Sequence, residues 1–163
     1  MEQQAATRFT VVGAGNAGKA MAAHMALEGA EVTLFNRTYA HIEVIAKRGG
    51  IELDSYEGGP VGFGKLKLVT SDMELALKDA EVIMVATPAS AHRNVAQMAA
   101  PYLKDGQIVI LNPGRTFGAI EFDRTLRDMG CEADVIVAET ETLIRSEERR
   151  VGEECRSRWS LYH

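Results

Sequence analysis

The chain has 163 residues, of which 46% are hydrophobic and 25% charged, and its formal net charge at pH 7 is −5. This size and composition are typical of one soluble globular domain, and the negative charge offers no electrostatic footprint for nucleic acid. The first residues lack a secretory signal, no apolar run reaches the roughly 20 residues that span a bilayer, and the two cysteines have no metal-ligand or disulfide pattern, so we expect a cytoplasmic protein without metal.

Short apolar runs alternate with longer helical stretches along the chain, which is the pattern of βαβ units. The runs are apolar throughout, as expected for parallel strands buried on both faces. We therefore predict a single α/β domain with a doubly wound parallel sheet, the Rossmann architecture. The predicted strands are 9–12, 31–35, 67–70, 81–86, 107–111 and 134–137, and the predicted helices are 17–27, 39–47, 73–77, 91–100 and 119–129.

Two local features refine this outline. Ser71 with Glu74 three residues later predicts a capping box at the start of the third helix. The segment 49–65 contains six glycines and a proline, and it is predicted to be a loop or an irregular hairpin.

A glycine-rich motif follows the first strand and opens the first helix, which is the context that a dinucleotide-binding turn requires. Gly13 permits the tight turn, Gly15 allows the backbone to approach a pyrophosphate, and Gly18 allows close packing of helix on strand. Free backbone N–H groups at the helix start can then reach the pyrophosphate. The predicted contact residues are Gly13, Ala14, Gly15, Asn16, Ala17 and Gly18.

The end of the second strand bears on the choice of cofactor. A carboxylate there would accept the ribose hydroxyls of NAD, but this chain has Asn36, Arg37 and Thr38. A guanidinium beside two neutral hydrogen-bonding side chains suits a 2′-phosphate, so NADP is favoured over NAD. Two alternatives stay open: Arg37 can stack on the adenine of NAD, or it can be a solvated residue at a helix entry.

Further candidate residues follow the later strands, where ligands of doubly wound sheets bind. Thr87, Pro88 and Ala89 follow the fourth strand, and Asn112 ends the fifth. We expect both loops to lie over the cofactor, although Asn112 in Asn-Pro-Gly is equally compatible with a plain turn. His92 is nearest to this region among the histidines, and helix capping or packing is its expected role. Glu139 and Glu141 follow the sixth strand, and Glu141 is a candidate substrate contact.

The last nineteen residues depart from the alternating pattern. The segment 145–163 contains five arginines, four glutamates and the only tryptophan, without apolar periodicity. It resembles the translation of a widely used sequencing adapter, and we expect it to be a non-native tail. On this interpretation residues 1–144 form the Rossmann domain and a C-terminal catalytic domain is absent. A genuine tail that binds a partner is the alternative.

Five sequence blocks together resemble the N-terminal half of opine dehydrogenases, the octopine and nopaline group. They are Val-Gly-Ala-Gly-Asn-Ala-Gly-Lys-Ala at 12–20, Phe-Asn-Arg-Thr at 35–38, Thr-Pro-Ala-Ser-Ala-His at 87–92, Leu-Asn-Pro-Gly-Arg-Thr at 111–116 and Ala-Glu-Thr-Glu-Thr-Leu-Ile at 138–144. The second block also resembles the NADP-binding turn of 6-phosphogluconate dehydrogenase.

The resemblance implies hydride transfer from NAD(P)H to an imine formed from an amino acid and an α-keto acid. In that family the acid-base histidine and aspartate lie in a C-terminal domain, so we expect no catalytic residue in this chain and no turnover by it alone. Glycerol-3-phosphate dehydrogenase and ketopantoate reductase are rival parents, and the block at 111–116 argues against both. A stand-alone NAD(P)-sensing module is an alternative from another class. Oligomeric state is not predicted.

Overall fold

The computed structural model describes residues 6–54 and 59–142. Eight strands lie in this part of the chain: β1 Arg8–Val12, β2 Glu31–Phe35, β3 Gly50–Leu53, β4 Gly62–Lys65, β5 Leu68–Thr70, β6 Val82–Val85, β7 Ile108–Leu111 and β8 Ile136–Glu139. The helices are α1 Asn16–Leu27, α2 Glu43–Arg48, α3 Met73–Leu77, α4 His92–Ala99 and α5 Gly118–Asp128, with 3₁₀ turns at Tyr39–His41 and Ala89–Ala91. None of the helices in these ranges is long and apolar enough to cross a bilayer.

Six strands form one sheet in the order β5-β2-β1-β6-β7-β8, and every neighbouring pair is parallel. The chain moves outward from β1 through β2 to β5 and then crosses back to β6, which pairs with the other edge of β1. Strand order therefore reverses between β1 and β6. The predicted doubly wound sheet is confirmed, and this reversal marks where such folds bind ligands.

The sheet is buried on both faces because alternate residues of its strands enter two different cores. Val11 packs with Leu34 and Met21 on one side, while the next residue, Val12, packs with Leu77 and Phe122 on the other. The second of these cores contains the apolar faces of α3, α4 and α5. The result is a three-layer α/β/α domain.

The glycine-rich segment 49–65 contains an antiparallel hairpin of β3 and β4, outside the main sheet. It packs on α1 so closely that a Cβ on Gly64 would lie 2.6 Å from the carbonyl oxygen of Ala23. A side chain at this position has no space, which explains the glycine. The hairpin alternative for this segment is therefore confirmed.

Three local predictions need correction. The third helix is capped by Asp72, whose carboxylate accepts a hydrogen bond from the backbone N–H of Leu75 at 3.1 Å, and not by Ser71. The second predicted helix divides into a 3₁₀ turn and α2. The last strand begins two residues later than predicted, so that Glu139 ends β8 rather than following it.

Candidate functional site

The glycine turn between β1 and α1 has almost no free space around two of its glycines. Gly13 has a φ of +110°, and a Cβ on it would lie 2.8 Å from the carbonyl oxygen of Ala86 and from the Cγ2 of Thr87. A Cβ on Gly18 would overlap the carbonyl oxygen of Gly13. The first glycine thus makes the turn against β6, and the last brings α1 onto the turn.

The middle glycine has the opposite surroundings. Apart from Gly15 and its two chain neighbours, no residue has a heavy atom within 4 Å of a Cβ built on Gly15, and its backbone is in the extended region at φ −71°. Gly15 is also the N-cap of α1, where no side chain makes a capping hydrogen bond and no acidic residue occupies the first turn. In the described ranges the N–H groups of Asn16 and Ala17 have no acceptor. The helix therefore presents unpaired donors and its positive end to an open, exposed cradle, which suits a pyrophosphate.

The segment after β2 folds back onto the same turn. The side-chain oxygen of Asn36 accepts a hydrogen bond from the N–H of Ala14 at 3.3 Å, and its amide nitrogen donates to the carbonyl of Thr38 at 2.9 Å. Asn36 thus connects the glycine turn to the segment after β2. Arg37 and Thr38 are exposed. The guanidinium of Arg37 donates to the Oδ1 of Asn94 on α4 at 3.4 Å. Sequence reasoning missed Asn94, because 57 residues separate it from Arg37.

Thr87 follows β6 and packs against the glycine turn. Its Oγ1 is buried and has no hydrogen-bond partner in the described part of the chain. A buried hydroxyl without a partner is uncommon in folded proteins and calls for a specific explanation. Pro88 and Ala89, the next two residues, are exposed beside it.

His92 begins α4 and is only 1% exposed. Its Nε2 lies 3.3 Å from the carbonyl oxygen of Thr87, and burial lowers the pKa of the ring below the ordinary value of 6.5, against the opposing effects of that carbonyl and of Glu121 and Glu139. The imidazole is therefore neutral at pH 7 and supports the loop that carries Thr87. This placement agrees with the packing role expected for His92.

The segment after β7 is anchored at its base. Asn112 is 1% exposed, its backbone N–H donates to the carbonyl of Val85 at 2.8 Å, and its side-chain amide donates to the carbonyl of Ile110 at 2.9 Å. The peptide bond to Pro113 is cis. The Asn112 side chain is directed into the fold and fixes the course of the loop, while its contact with a nicotinamide stays a prediction.

The two glutamates at the end of β8 differ in their surroundings. The Oε2 of Glu139 accepts a hydrogen bond from the N–H of Ala119 at 2.8 Å, so this carboxylate caps α5. It also lies against Gly114, where a Cβ would overlap it. Glu141 is exposed two residues further along. The structural role of Glu139 depends on the packing of α5 on β8, which the sequence alone does not reveal.

The predicted residues after β1, β2, β6, β7 and β8 all lie at one edge of the sheet, because parallel strands end on the same side. The open cradle of Gly15 lies at the reversal between β1 and β6, with Arg37 on one side and the loop of Thr87 on the other. The arrangement can hold an extended anionic ligand across the edge, with its diphosphate at α1. Residues 6–54 and 59–142 contain no group of three or more His, Cys, Asp or Glu that could hold a metal ion.

The fold and this cradle define an NAD(P)-binding domain of an oxidoreductase. The family model described as NAD-dependent glycerol-3-phosphate dehydrogenase N-terminus matches residues 8–114. The chain belongs to this family of dehydrogenase cofactor domains.

Known proteins specify the relationship further. The chain is 40% identical over 136 residues to an opine dehydrogenase of Arthrobacter sp. (strain 1C), covering 83% of this chain and 37% of that protein. It is 36% identical over 103 residues to a glycerol-3-phosphate dehydrogenase [NAD(P)+] of Carboxydothermus hydrogenoformans, covering 63% of this chain and 30% of the relative. The resemblance to the N-terminal domain of opine dehydrogenases is thereby confirmed.

A solved structure has the same fold over most of the chain. Octopine dehydrogenase with NADH and pyruvate aligns with a TM-score of 0.70 at 25% identity, covering 84% of this chain and 36% of that one. The present chain thus spans about a third of the length of the proteins that it matches. The predicted tail at 145–163 lies outside the described residues.

Proposed function

We propose that this chain forms the NADP-preferring cofactor half of an enzyme that joins an amino acid to an α-keto acid by reducing the imine between them. The open cradle at Gly15 carries the proposal, since it places unpaired N–H donors of α1 where a dinucleotide diphosphate binds. The higher identity and longer match to an opine dehydrogenase than to a glycerol-3-phosphate dehydrogenase support this reaction class.

The cofactor contacts follow from the positions of the loops. The diphosphate would lie on the glycine turn, the adenosine ribose beside Arg37, and the nicotinamide half toward the loops after β6 and β7. When bound, the reduced dinucleotide supplies a hydride to the imine carbon. The proposed contact residues are Gly13, Ala14, Gly15, Asn16, Ala17, Gly18, Asn36, Arg37, Thr38, Thr87, Pro88, Ala89 and Asn112, with Glu141 toward the substrate.

The orphaned hydroxyl of Thr87 supports a ligand at this edge. Thr87 packs against the glycine turn, and a dinucleotide bound on that turn would offer an acceptor that the described protein lacks. The other residues of the site orient the cofactor, exclude water and hold the loops. The acid-base groups of the reaction are proposed to lie outside the described residues, because His92, the histidine that follows β6, is buried and supports a carbonyl.

The preference for NADP rests on Arg37 and Thr38. Both are exposed at the end of β2, and no carboxylate stands there to accept ribose hydroxyls or to repel a 2′-phosphate. The hydrogen bond to Asn94 keeps the guanidinium beside the cradle. Asn36 contributes indirectly, because both ends of its amide already bind the backbone.

The test is a fluorescence titration of the full chain with NADPH and NADH. We expect the wild type to bind NADPH more tightly than NADH. Arg37→Ala should raise the Kd for NADPH by about 10-fold or more and leave the Kd for NADH almost unchanged, because hydrogen bonds to charged groups contribute about 1.5–3 kcal/mol. Arg8→Ala is the matched control, because Arg8 begins β1 at the end of the strands away from the cradle; this variant should not alter either affinity. Equal affinity of the wild type for NADPH and NADH would contradict the role proposed for Arg37.

A glycerol-3-phosphate dehydrogenase is the second candidate, because the family model carries that description and matches residues 8–114. The cofactor-loaded chain distinguishes the two. Perturbation of the bound nicotinamide by pyruvate, and not by glycerol 3-phosphate, would support the opine class. The reverse result would favour the second candidate.

A further inference from the structure

The loop between β7 and α5 has a fixed base and a strained, exposed tip. At the base, the N–H of Gly114 donates to the carbonyl of Thr140 at 3.1 Å, and Gly114 has no room for a side chain against Glu139. At the tip, Arg115 and Phe117 both have a φ of +62°, in the left-handed region that glycine favours. Two non-glycine residues with this backbone in one short loop are unusual.

Packing does not account for these two side chains. Phe117 is 68% exposed, and Arg115 is exposed. In residues 6–54 and 59–142, Arg115 forms no hydrogen bond or ion pair, although Glu139 and Glu141 are carried by the adjoining strand end. An unpaired cation on strained backbone, presented by a loop with a fixed base, points to a ligand-binding role.

The position of the loop indicates which part of a ligand it meets. The glycine turn after β1 would hold the centre of the dinucleotide, and Arg37 lies on the β2 side. Arg115 follows β7 by four residues. If the other half of the cofactor extends over β6 and β7, as in doubly wound folds, Arg115 would border the nicotinamide end. A substrate must lie at that end to receive the hydride.

We infer that Arg115 binds the carboxylate of the α-keto acid substrate. A guanidinium pairs with a carboxylate through two parallel hydrogen bonds, which also fix the orientation of the neighbouring carbonyl carbon. The inference rests on the proposed function. It names Arg115 as the residue of the same site that selects a substrate with a carboxylate. It assigns the block Asn-Pro-Gly-Arg-Thr two tasks: Asn112 and Gly114 hold the loop, and Arg115 holds the substrate.

The experiment uses the full chain saturated with NADPH. Pyruvate is titrated against it, with methyl pyruvate as the uncharged analogue, and the nicotinamide fluorescence is recorded. Pyruvate should give a saturable change that methyl pyruvate does not give. Arg115→Gln should weaken the apparent Kd for pyruvate by about 10-fold or more and leave the NADPH affinity unchanged. Arg124→Gln, which removes an exposed arginine from α5, is the matched control and should behave like the wild type.

Arg115→Gly keeps the test independent of folding defects. Glycine adopts the left-handed conformation without strain, so this variant should unfold at a higher temperature than the wild type and still lose the pyruvate response. Wild-type pyruvate affinity in either Arg115 variant, or no pyruvate response in the NADPH-loaded wild type, overturns the inference. Absence of NADPH binding by the wild type overturns the proposed function itself.

Discussion

Replacing Gly15 with alanine should separate cofactor binding from folding. The backbone at Gly15 is extended, and no residue other than its chain neighbours lies within 4 Å of the new Cβ, so the methyl group fits the protein without ligand. Alanine is a poorer N-cap than glycine, which costs about 0.5–1 kcal/mol of unfolding free energy. The same methyl group would meet the diphosphate. Overpacking of a close contact costs about 1–3 kcal/mol, which corresponds to about 5- to 150-fold in the Kd for NADPH.

The assay pairs urea denaturation with NADPH titration. Gly18→Ala is the contrasting variant, because its Cβ would overlap backbone atoms of Gly13 that cannot move without opening the turn. Gly18→Ala should therefore lose stability as well as binding, whereas Gly15→Ala should lose binding while remaining folded. A folded Gly15→Ala that binds NADPH like the wild type would refute the assignment of the cradle.

Three further predictions concern stability. Asp72→Ala should lower the free energy of unfolding by about 1 kcal/mol in urea denaturation, while Ser71→Ala should change it almost not at all; a larger loss for Ser71→Ala would return the cap to Ser71. Gly64→Val should destabilise by about 1–3 kcal/mol or more, because the added atoms would meet the backbone of Ala23, and an unchanged midpoint would contradict the close packing of the hairpin. Because burial lowers the pKa of His92 in the folded protein, the unfolded chain takes up the proton first, and stability should fall as the pH drops below about 6.5, by at most about 1.4 kcal/mol per pH unit. Urea denaturation of the wild type and His92→Gln between pH 5 and 7.5 measures this loss of unfolding free energy. Parallel pH profiles of the two proteins would exclude a contribution from His92.

Most of the sheet was predictable from the sequence because its strands are short, continuous apolar runs. Val82–Val85 and Ile108–Leu111 need apolar partners on both faces, and a parallel sheet provides them. The hairpin was harder to predict. Gly50 and Gly64 are required by close contacts with Phe63 and Ala23, and such contacts are unknown until the packing is known.

The candidate site was predictable where one local segment performs the whole task. The turn from Gly13 to Gly18 is such a segment, since strand, turn and helix start are consecutive. Asn94 and the capping role of Glu139 could not be found in the same way. Their partners, Arg37 and Ala119, are 57 and 20 residues away in sequence and are brought near by helix packing.

Asn112 illustrates the limit of reading a residue type alone. Its amide suits both a ligand contact and an internal turn, and the two uses have the same sequence signature. Burial and the hydrogen bond to the carbonyl of Ile110 reveal the structural use, while a contact with the nicotinamide stays a prediction.

The central claim is that a dinucleotide binds with its diphosphate on the N-terminus of α1. Amide chemical shifts of the ¹⁵N-labelled full chain, followed during an NADPH titration, test it most directly. We expect the largest saturable shifts at Gly15, Asn16 and Ala17, because their N–H groups would gain a charged acceptor. Absence of saturable shifts, or shifts confined to the amino-terminal edge of the sheet, would contradict the account.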